Sequence, residues 1–150
     1  MEGARPATDD DAPRIAELMA AAIDELRPTR GGDVYATRDS RPTPPPVGEG
    51  TWVGTIDDVV VGFIAGRVEE LRDGRKLGVV DEVFVESEAR SVGVGEAMLG
   101  EVLAWFTGQG CFGVDAHALP GNRATKNFFE ENGFSARLLV MHHRFEDGRA

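Results

Sequence analysis

The centre of the chain changes from a continuous apolar run to apolar residues at helical spacing, with a short turn between the two. Positions 79–85 are mostly β-branched or aromatic, which is typical of a strand covered on both faces. The turn at 90–95 contains two glycines. After it, apolar residues recur every three or four positions, at Val94, Ala97, Met98, Val102, Trp105 and Phe106. The pattern predicts a buried strand, a tight turn and a helix.

The segments around this unit predict further strands and helices. The predicted elements are a short strand at 3–7, a helix at 12–26, strands at 51–56, 59–71 and 111–118, a helix at 122–132 and a final strand at 136–145. The strands between 51 and 85 form an antiparallel meander with an Asp-Gly hairpin at 73–74. A strand–helix–strand order favours parallel pairing of 79–85 with 111–118.

Residues 27–50 differ from the rest of the chain. They are rich in glycine and proline, and the proline cluster at 42–46 excludes a helix or a central strand there. A long irregular insertion in a small domain favours a substrate-side loop, with a disordered segment as the alternative. A short helix around 34–37 fits the pattern, and Tyr35 within it is the only tyrosine of the chain.

Composition narrows the choice of partners. The 150 residues, 41% of them hydrophobic, fit one domain with a real core. The net charge of -10 argues against nucleic acid as a partner. This charge suits a cationic amine substrate, although solubility alone is the simpler explanation.

Cysteine and histidine usage limits the chemistry further. A single cysteine, Cys111, excludes an internal disulfide, and its apolar setting favours a buried structural thiol. The histidines show no metal-ligand spacing, so we expect no metal site. The chain has no apolar run long enough to cross a membrane and no signal pattern at its start. We therefore expect a cytoplasmic protein that does not associate with membranes.

The glycine turn has the features of an anion-binding site. Main-chain N–H groups at a helix start, together with the helix dipole, attract negative charge, and Arg90 adds a positive one. A plain loop explains the glycines equally well. A P-loop is excluded because no Gly-Lys-Ser/Thr follows, and a Rossmann fingerprint is incomplete because Met98 occupies its third glycine position.

Two segments together resemble the GCN5-related N-acetyltransferase (GNAT) family. Arg90-Ser91-Val92-Gly93-Val94-Gly95 is similar to the first signature of that family, R/Q-x-x-G-x-G/A. Residues 122–134, which run from an asparagine through an aromatic pair to Gly-Phe, resemble its second signature. The resemblance implies an α/β fold in a single domain over 1–150. That fold combines a mixed sheet, helices on both faces and central parallel strands that splay to admit a pantetheine arm.

The resemblance also implies a set of residues that hold acetyl-CoA as co-substrate. They are Val83, Phe84, Val85, Arg90, Ser91, Val92, Gly93, Val94, Gly95, Glu96, Asn122, Phe128 and Phe129. Capping of its own helix is a sufficient alternative role for Asn122. In many relatives a tyrosine stands at the position of Phe129 and is taken to protonate the leaving thiolate. Phe129 has no proton to give.

Three side chains are candidates for proton transfer during attack by an amine. Glu82 is the first choice as the general base, and Asp81 is the second. Alternation along a strand points these two to opposite faces, so that only one reaches the site. His117 follows near the carboxyl end of the second central strand. For each acid the alternative is a structural role, in which the carboxylate binds a neighbouring backbone or basic residue. For His117 the alternative is a half-buried structural histidine.

These observations favour an N-acetyltransferase that moves an acetyl group to a primary amine of a small molecule or protein by direct attack in a ternary complex. The competing hypothesis is an acyl-CoA-binding sensor or regulatory module with little or no turnover, which Phe129 favours. A nucleotide-binding domain is a third hypothesis. A homodimer is compatible with the sequence.

Overall fold

The structure, a computed structural model, describes residues 1–39 and 47–145. The proline cluster at 42–46 lies outside the described residues. The strands are β1 (Glu2–Pro6), β2 (Thr51–Ile56), β3 (Val59–Glu70), β4 (Lys76–Val85) and β5 (Cys111–Ala116). The helices are α1 (Ala12–Leu26), the single turn α2 (Gly32–Val34), α3 (Val94–Gly108) and α4 (Arg123–Glu131). A π-helical turn, Tyr35–Asp39, follows α2 directly.

The five strands form one sheet in the order of the sequence. Neighbours from β1 to β4 are antiparallel, whereas β5 lies parallel to β4 after the α3 crossover. The predicted mixed sheet and antiparallel meander are thus confirmed. The first strand is a full sheet member rather than a marginal one, because all five of its residues pair with β2.

Apolar side chains cover both faces of the sheet. On one face a cluster forms under α3 and α4, with Trp52, Ile64, Val80, Val94, Met98, Leu99, Val102, Phe106 and Phe129 buried. On the other face α1 packs on the sheet through Ile15, Leu18, Met19, Val53 and Phe63. The helical spacing in the sequence predicted which side of α3 is buried, since Val94, Met98, Val102 and Phe106 all belong to the core.

The parallel pair β4–β5 separates before β4 ends. Its pairing runs from Lys76–Cys111 to Val80–Ala116, and β5 stops there, two residues earlier than predicted. Residues 82–85 of β4 continue in pairing with β3 on one edge only. The opposite edge of 81–85 therefore has no strand partner among the described residues, which opens the sheet at the carboxyl end of β5.

The register of β3 and β4 shifts at one point in this region. Ala65 lies opposite Glu82, but the next residue, Gly66, lies opposite Val80, so Asp81 has no partner across the pair. An extra residue of this kind is a β-bulge, which interrupts the alternation of side chains along its strand.

The predicted final strand at 136–145 is wrong. Residues 135–145 contain no helix or strand, and Leu138, Leu139, Val140 and Met141 are 71–85% exposed. Side chains hold the segment instead, since Arg137 donates to Asp115 on β5 and Arg144 to Asp33 on α2. A local apolar pattern reports strand propensity, but a strand also needs a neighbouring edge to pair with, and the pattern does not contain that information.

Asp11 fastens the start of α1 to β1. Its carboxylate accepts hydrogen bonds from both terminal nitrogens of Arg5, at 2.8 and 2.9 Å, and from the N–H of Thr8 at 2.8 Å. The hydrogen bond from Arg5, opposed by burial and helped by Thr8, lowers the pKa of Asp11 from 3.8 to about 2. The carboxylate therefore stabilises the fold above about pH 4, and this contribution is lost as the pH falls towards 2.

We expect Asp11→Asn to lower the free energy of unfolding at pH 7 by about 1–2 kcal/mol. Urea unfolding at pH 7, and again at steps between pH 4 and 2, measures this difference. The variant should lose less stability than the wild type over the acid range. Equal losses in the two proteins would show that Asp11 is not a source of the acid sensitivity.

Candidate active site

The turn between β4 and α3 presents main-chain N–H groups at the helix start. Ser91 and Gly93 adopt left-handed conformations, with φ of +68° and +93°. The first hydrogen bond of the helix runs from the N–H of Ala97 to the carbonyl of Gly93 at 3.0 Å. The N–H groups of residues 94–96 have no acceptor within the helix, which makes this turn a site for an anion.

Glycine occupies the two positions of the turn for different structural reasons. At position 93 the backbone is left-handed, a conformation that residues with a Cβ rarely adopt. Gly95 lies against the ring of Phe128 on α4, because a Cβ there would be 3.1 Å from Phe128 Cε1. The contact packs α4 onto the first turn of α3.

Arg90 is engaged with the protein rather than extended towards the turn opening. Its two terminal nitrogens donate to the carboxylate of Glu25 on α1, both at 2.7 Å, and its Nε donates to the carbonyl of Val85 at 2.8 Å. The guanidinium therefore ties α1 to the end of β4, and Glu25 offsets part of its charge. Glu25 lies 65 residues away in sequence, so the motif alone gave no sign of it.

The bulge places both candidate carboxylates on the α1 face of the sheet. Val80 and Val83 both pack into the core under α3, and Asp81 and Glu82 lie between them. The expectation that the two acids point to opposite faces is therefore wrong, because it assumed unbroken alternation.

The two carboxylates nevertheless have different partners. Asp81 accepts from Nε of Arg67 on β3, at 2.9 and 3.1 Å, and Arg67 also donates to Glu69 at 2.6 Å. Glu82 lies one residue further into the unpaired part of β4 and accepts from the hydroxyl of Tyr35 at 2.8 Å. Asp81 is thus held in a charged network on the sheet, whereas Glu82 faces the segment that follows α1.

The segment 29–39, named here the bridge, spans the opening between β4 and β5. At one side Tyr35 contacts Glu82 on β4. At the other side it lies against the turn after β5, because a Cβ on Gly121 would be 2.7 Å from the main-chain nitrogen of Arg30. The bridge thus lies over the carboxyl ends of the two separated strands, and its position on the substrate side stays a prediction.

A profile of the acetyltransferase (GNAT) family matches residues 15–134 of the chain. The chain belongs to the GNAT acetyltransferase family. Its matched region contains the bridge, the separated strands, the glycine turn and α4. No curated protein sequence matches the chain significantly.

Solved structures of acetyltransferases share the fold of this GNAT protein. The ribosomal-protein-alanine N-acetyltransferase from Brucella melitensis biovar Abortus 2308 has a TM-score of 0.68 and 20% identity, with 97% of this chain and 99% of that chain covered. The aminoglycoside N-acetyltransferase AAC(6')-Iy, in complex with CoA, has a TM-score of 0.69 and 17% identity, with 97% and 95% covered. Arabidopsis thaliana Naa50, in complex with the bisubstrate analogue CoA-Ac-MVNAL, has a TM-score of 0.64 and 22% identity, with 89% and 83% covered.

Phe129 and Asn122, two residues of the second signature, have structural roles in this GNAT protein. Phe129 is 5% exposed and packs between the rings of Phe128 and Phe134, with centroids 5.3 and 5.0 Å away. The side-chain oxygen of Asn122 accepts from the N–H of Thr125 at 3.3 Å and caps α4. The capping role that the sequence left open for Asn122 is thus present.

The remaining candidates lie at the margin of the site. His117 follows the last residue of β5 and is exposed, rather than half-buried as a structural histidine would be. Cys111, at the start of β5, is only partly buried. Within residues 1–39 and 47–145 of this GNAT protein, no cluster of three or more metal-ligating side chains occurs. None of the described helices is long and apolar enough to cross a membrane.

An acidic side chain lies beside the glycine turn. A Cβ on Gly93 would be 3.4 Å from Cγ and 3.5 Å from Oε1 of Glu2 on β1. The sequence gave no indication of this contact, because Glu2 is about ninety residues away along the chain. Its charge opposes an anion at the turn.

We expect Glu2→Gln to tighten acetyl-CoA binding about 2- to 3-fold at low salt, as removal of a like charge in a solvated setting implies. The gain should shrink at high ionic strength. Calorimetric titration at two salt concentrations measures it, and Glu101→Gln, which removes the same charge from an exposed position further along α3, is the control. Equal tightening in both variants would assign the effect to net charge instead of to Glu2.

Proposed function

We propose that this GNAT protein is an acetyl-CoA-dependent N-acetyltransferase, with residues 1–150 as one domain and a primary amine as acceptor. The observation that carries the proposal is the position of Glu82. Its carboxylate is on the part of β4 that continues beyond the pairing with β5, and it accepts a hydrogen bond from Tyr35 of the bridge. A base at that point can reach an amine that enters under the bridge.

In the proposed site the turn and the open edge of β4 receive the co-substrate. The N–H groups of the turn, at residues 91–96, face the pyrophosphate. Main-chain groups of residues 83–85 on the unpaired edge hold the pantetheine arm and the acetyl carbonyl, since alternate N–H groups of an edge strand point away from its partner. Phe128 and Asn122 support this side through α4.

The proposed reaction needs no covalent enzyme intermediate. The acceptor arrives as an ammonium and gives one proton to Glu82. Its nitrogen then attacks the acetyl carbon, the C–N bond forms, and the C–S bond breaks with its electron pair left on sulfur. The second amine proton reaches the thiolate through water and neutralises it. The reaction therefore does not require a tyrosine at the position of Phe129. His117, exposed at the carboxyl end of β5, is the second candidate for this proton traffic.

Charge and the fold relatives support an amine as acceptor. The net charge of -10 favours a cation. The relatives with this fold include an aminoglycoside N-acetyltransferase, a ribosomal-protein-alanine N-acetyltransferase and a protein captured with a CoA–peptide analogue. We propose a small-molecule or protein amine on these grounds, and no role with nucleic acid.

The competing proposal is an acyl-CoA-binding module without turnover, which the buried, proton-free Phe129 favours. Thermal unfolding with and without acetyl-CoA, with ATP as control, tests binding first. A ligand at one hundred times its dissociation constant adds about 2.7 kcal/mol of stability. CoA release over a panel of amines then separates enzyme from sensor. Stabilisation without CoA release from any amine would support the sensor, and a larger shift with ATP would overturn both proposals.

We also propose that the protein pairs with a second copy through residues 135–145 and β5. The apolar side chains at 138–141 are exposed, Phe112 on β5 is 55% exposed, and the outer edge of β5 has no strand beside it among the described residues. Such an edge and such a patch are features that a partner strand covers. Light scattering across a concentration series should give a dimer that Val140→Arg disrupts, and a monomer at every concentration would overturn this proposal. The cytoplasmic location stays a prediction, which fractionation of cells tests.

A further inference from the structure

The single tyrosine of the chain lies in the bridge and contacts the proposed base. Tyr35 opens the π-helical turn that follows α2, and its hydroxyl donates to Oε2 of Glu82 at 2.8 Å. The two residues are 47 positions apart in sequence. The contact therefore depends on the fold and joins the bridge to the unpaired part of β4.

The bridge has attachments of its own in the residues that precede this tyrosine. The hydroxyl of Thr29 donates to the carbonyl of Leu26 at 2.6 Å, which continues α1 into the bridge. Asp33, two residues before Tyr35, accepts from Arg144 at 2.7 Å. The phenol is thus presented to Glu82 by a segment with its own attachments, and a contact to one residue does not have to hold the whole segment in place.

The phenol is a hydrogen-bond donor to Glu82 and not a base. Burial, followed by the charge of Glu82 and the hydrogen bond to it, raises the pKa of Tyr35 above its ordinary value of 10. Tyr35 therefore stays protonated at physiological pH and cannot serve as a base. A donor to a carboxylate favours its ionised form and fixes the orientation of the carboxylate.

We propose that Tyr35 is a positioning residue for acetyl transfer, which holds the carboxylate of Glu82 in the orientation that receives the proton of the acceptor amine. This inference rests on the proposed function. On the α1 face of the sheet the neighbouring carboxylate, Asp81, is held by Arg67, whereas the hydroxyl of Tyr35 donates to Glu82. Tyr35 thereby takes part in the reaction through Glu82 without touching the acetyl group.

The contact itself can be tested without any turnover. Because Tyr35 is the only tyrosine, protein made with 3-fluorotyrosine gives one fluorine resonance from this position. Fluorine lowers the pKa of the phenol and so brings its titration into a milder pH range. We expect the midpoint to fall in Glu82→Gln and to stay unchanged in Asp81→Asn. An unchanged midpoint in Glu82→Gln would overturn the contact.

The positioning role is tested by turnover with an amine found in the acceptor screen. Tyr35→Phe keeps the ring and should lower kcat about 10-fold, as loss of one hydrogen bond to a charged group implies. The dissociation constant for acetyl-CoA should not change, and the variant should remain folded at the assay temperature although the lost hydrogen bond lowers its unfolding midpoint. In a Glu82→Gln background the same substitution should cost nothing further, because its effect passes through Glu82.

Several outcomes separate this proposal from its alternatives. An additive loss in the double variant, or an unchanged kcat in Tyr35→Phe, would overturn the positioning role while the proposed function stands. An equal loss in Asp33→Asn, which releases Arg144 but keeps the phenol, would assign the effect to attachment of the bridge and also overturn it. Absence of CoA release from the wild type with every amine would overturn the proposed function, and the positioning role with it, although the fluorine result on the contact would remain.

Discussion

Glu82→Gln is expected to lower kcat by about 100- to 1,000-fold, the usual contribution of a general base. The substitution keeps the size of the side chain and its ability to accept a hydrogen bond from Tyr35, but it removes the group that takes the proton of the amine. Acetyl-CoA binding should be unchanged, because the proposed site places Glu82 on the acceptor side of the opening. Steady-state CoA release and calorimetric titration of acetyl-CoA measure the two effects separately.

Asp81→Asn is the matched control, since it changes the neighbouring carboxylate on the same strand and the same face. Asp81 is held by Arg67, so we expect this variant to lose stability rather than rate. A large fall in kcat for Asp81→Asn together with a small one for Glu82→Gln would reverse the assignment of the base. Comparable activity of both variants and the wild type would mean that neither carboxylate takes the proton.

Gly93→Ala is expected to weaken acetyl-CoA binding about 10-fold, because a left-handed conformation costs a residue with a Cβ about 1–2 kcal/mol. With no ligand, the turn can relax from its φ of +93° and relieve this strain. The bound state needs the N–H groups of the turn in their present directions, so the strain appears in the binding free energy. Titration with acetyl-CoA and with a CoA fragment that contains the pyrophosphate measures the loss.

Gly110→Ala is the matched control for this prediction. Gly110 follows the other end of α3, has a φ of +84°, and a Cβ there would meet nothing within 4 Å. We therefore expect a similar strain, seen as a lower free energy of unfolding, with unchanged acetyl-CoA affinity. Equal affinities in the wild type and both variants would contradict the assignment of the pyrophosphate to the glycine turn.

The strand–turn–helix unit could be predicted from the sequence because its information is local. The change from a continuous apolar run to helical spacing located β4 and α3, and the two signature segments indicated the family. Local patterns also gave the meander, in which each strand pairs with its neighbour in sequence. The strand β4 starts at Lys76 instead of 79, because Lys76, Leu77 and Gly78 also pair with β3.

The finer arrangement of the site depends on contacts between distant parts of the chain. The bulge at Asp81 arises from the pairing of β4 with β3, so the sequence of β4 alone predicted the wrong faces. Arg90 donates to Glu25, which is 65 residues away in sequence, and Tyr35 donates to Glu82, which is 47 residues away. The sequence marked Tyr35 only as the single tyrosine. Its role as a partner of the proposed base emerged from the fold.

In the proposed site the bridge and the rest of the opening bind different substrates, and this separation affects how the choice of acceptor can change. Acceptor recognition is assigned to residues 29–39, and acyl-CoA recognition to the turn, β4 and α4, which are separate in sequence. Exchange of the bridge between relatives, with a tyrosine kept opposite Glu82, would then alter the amine that is accepted while the donor side is inherited intact. Such a layout lets one scaffold acquire new acceptors by changes confined to a single short connection.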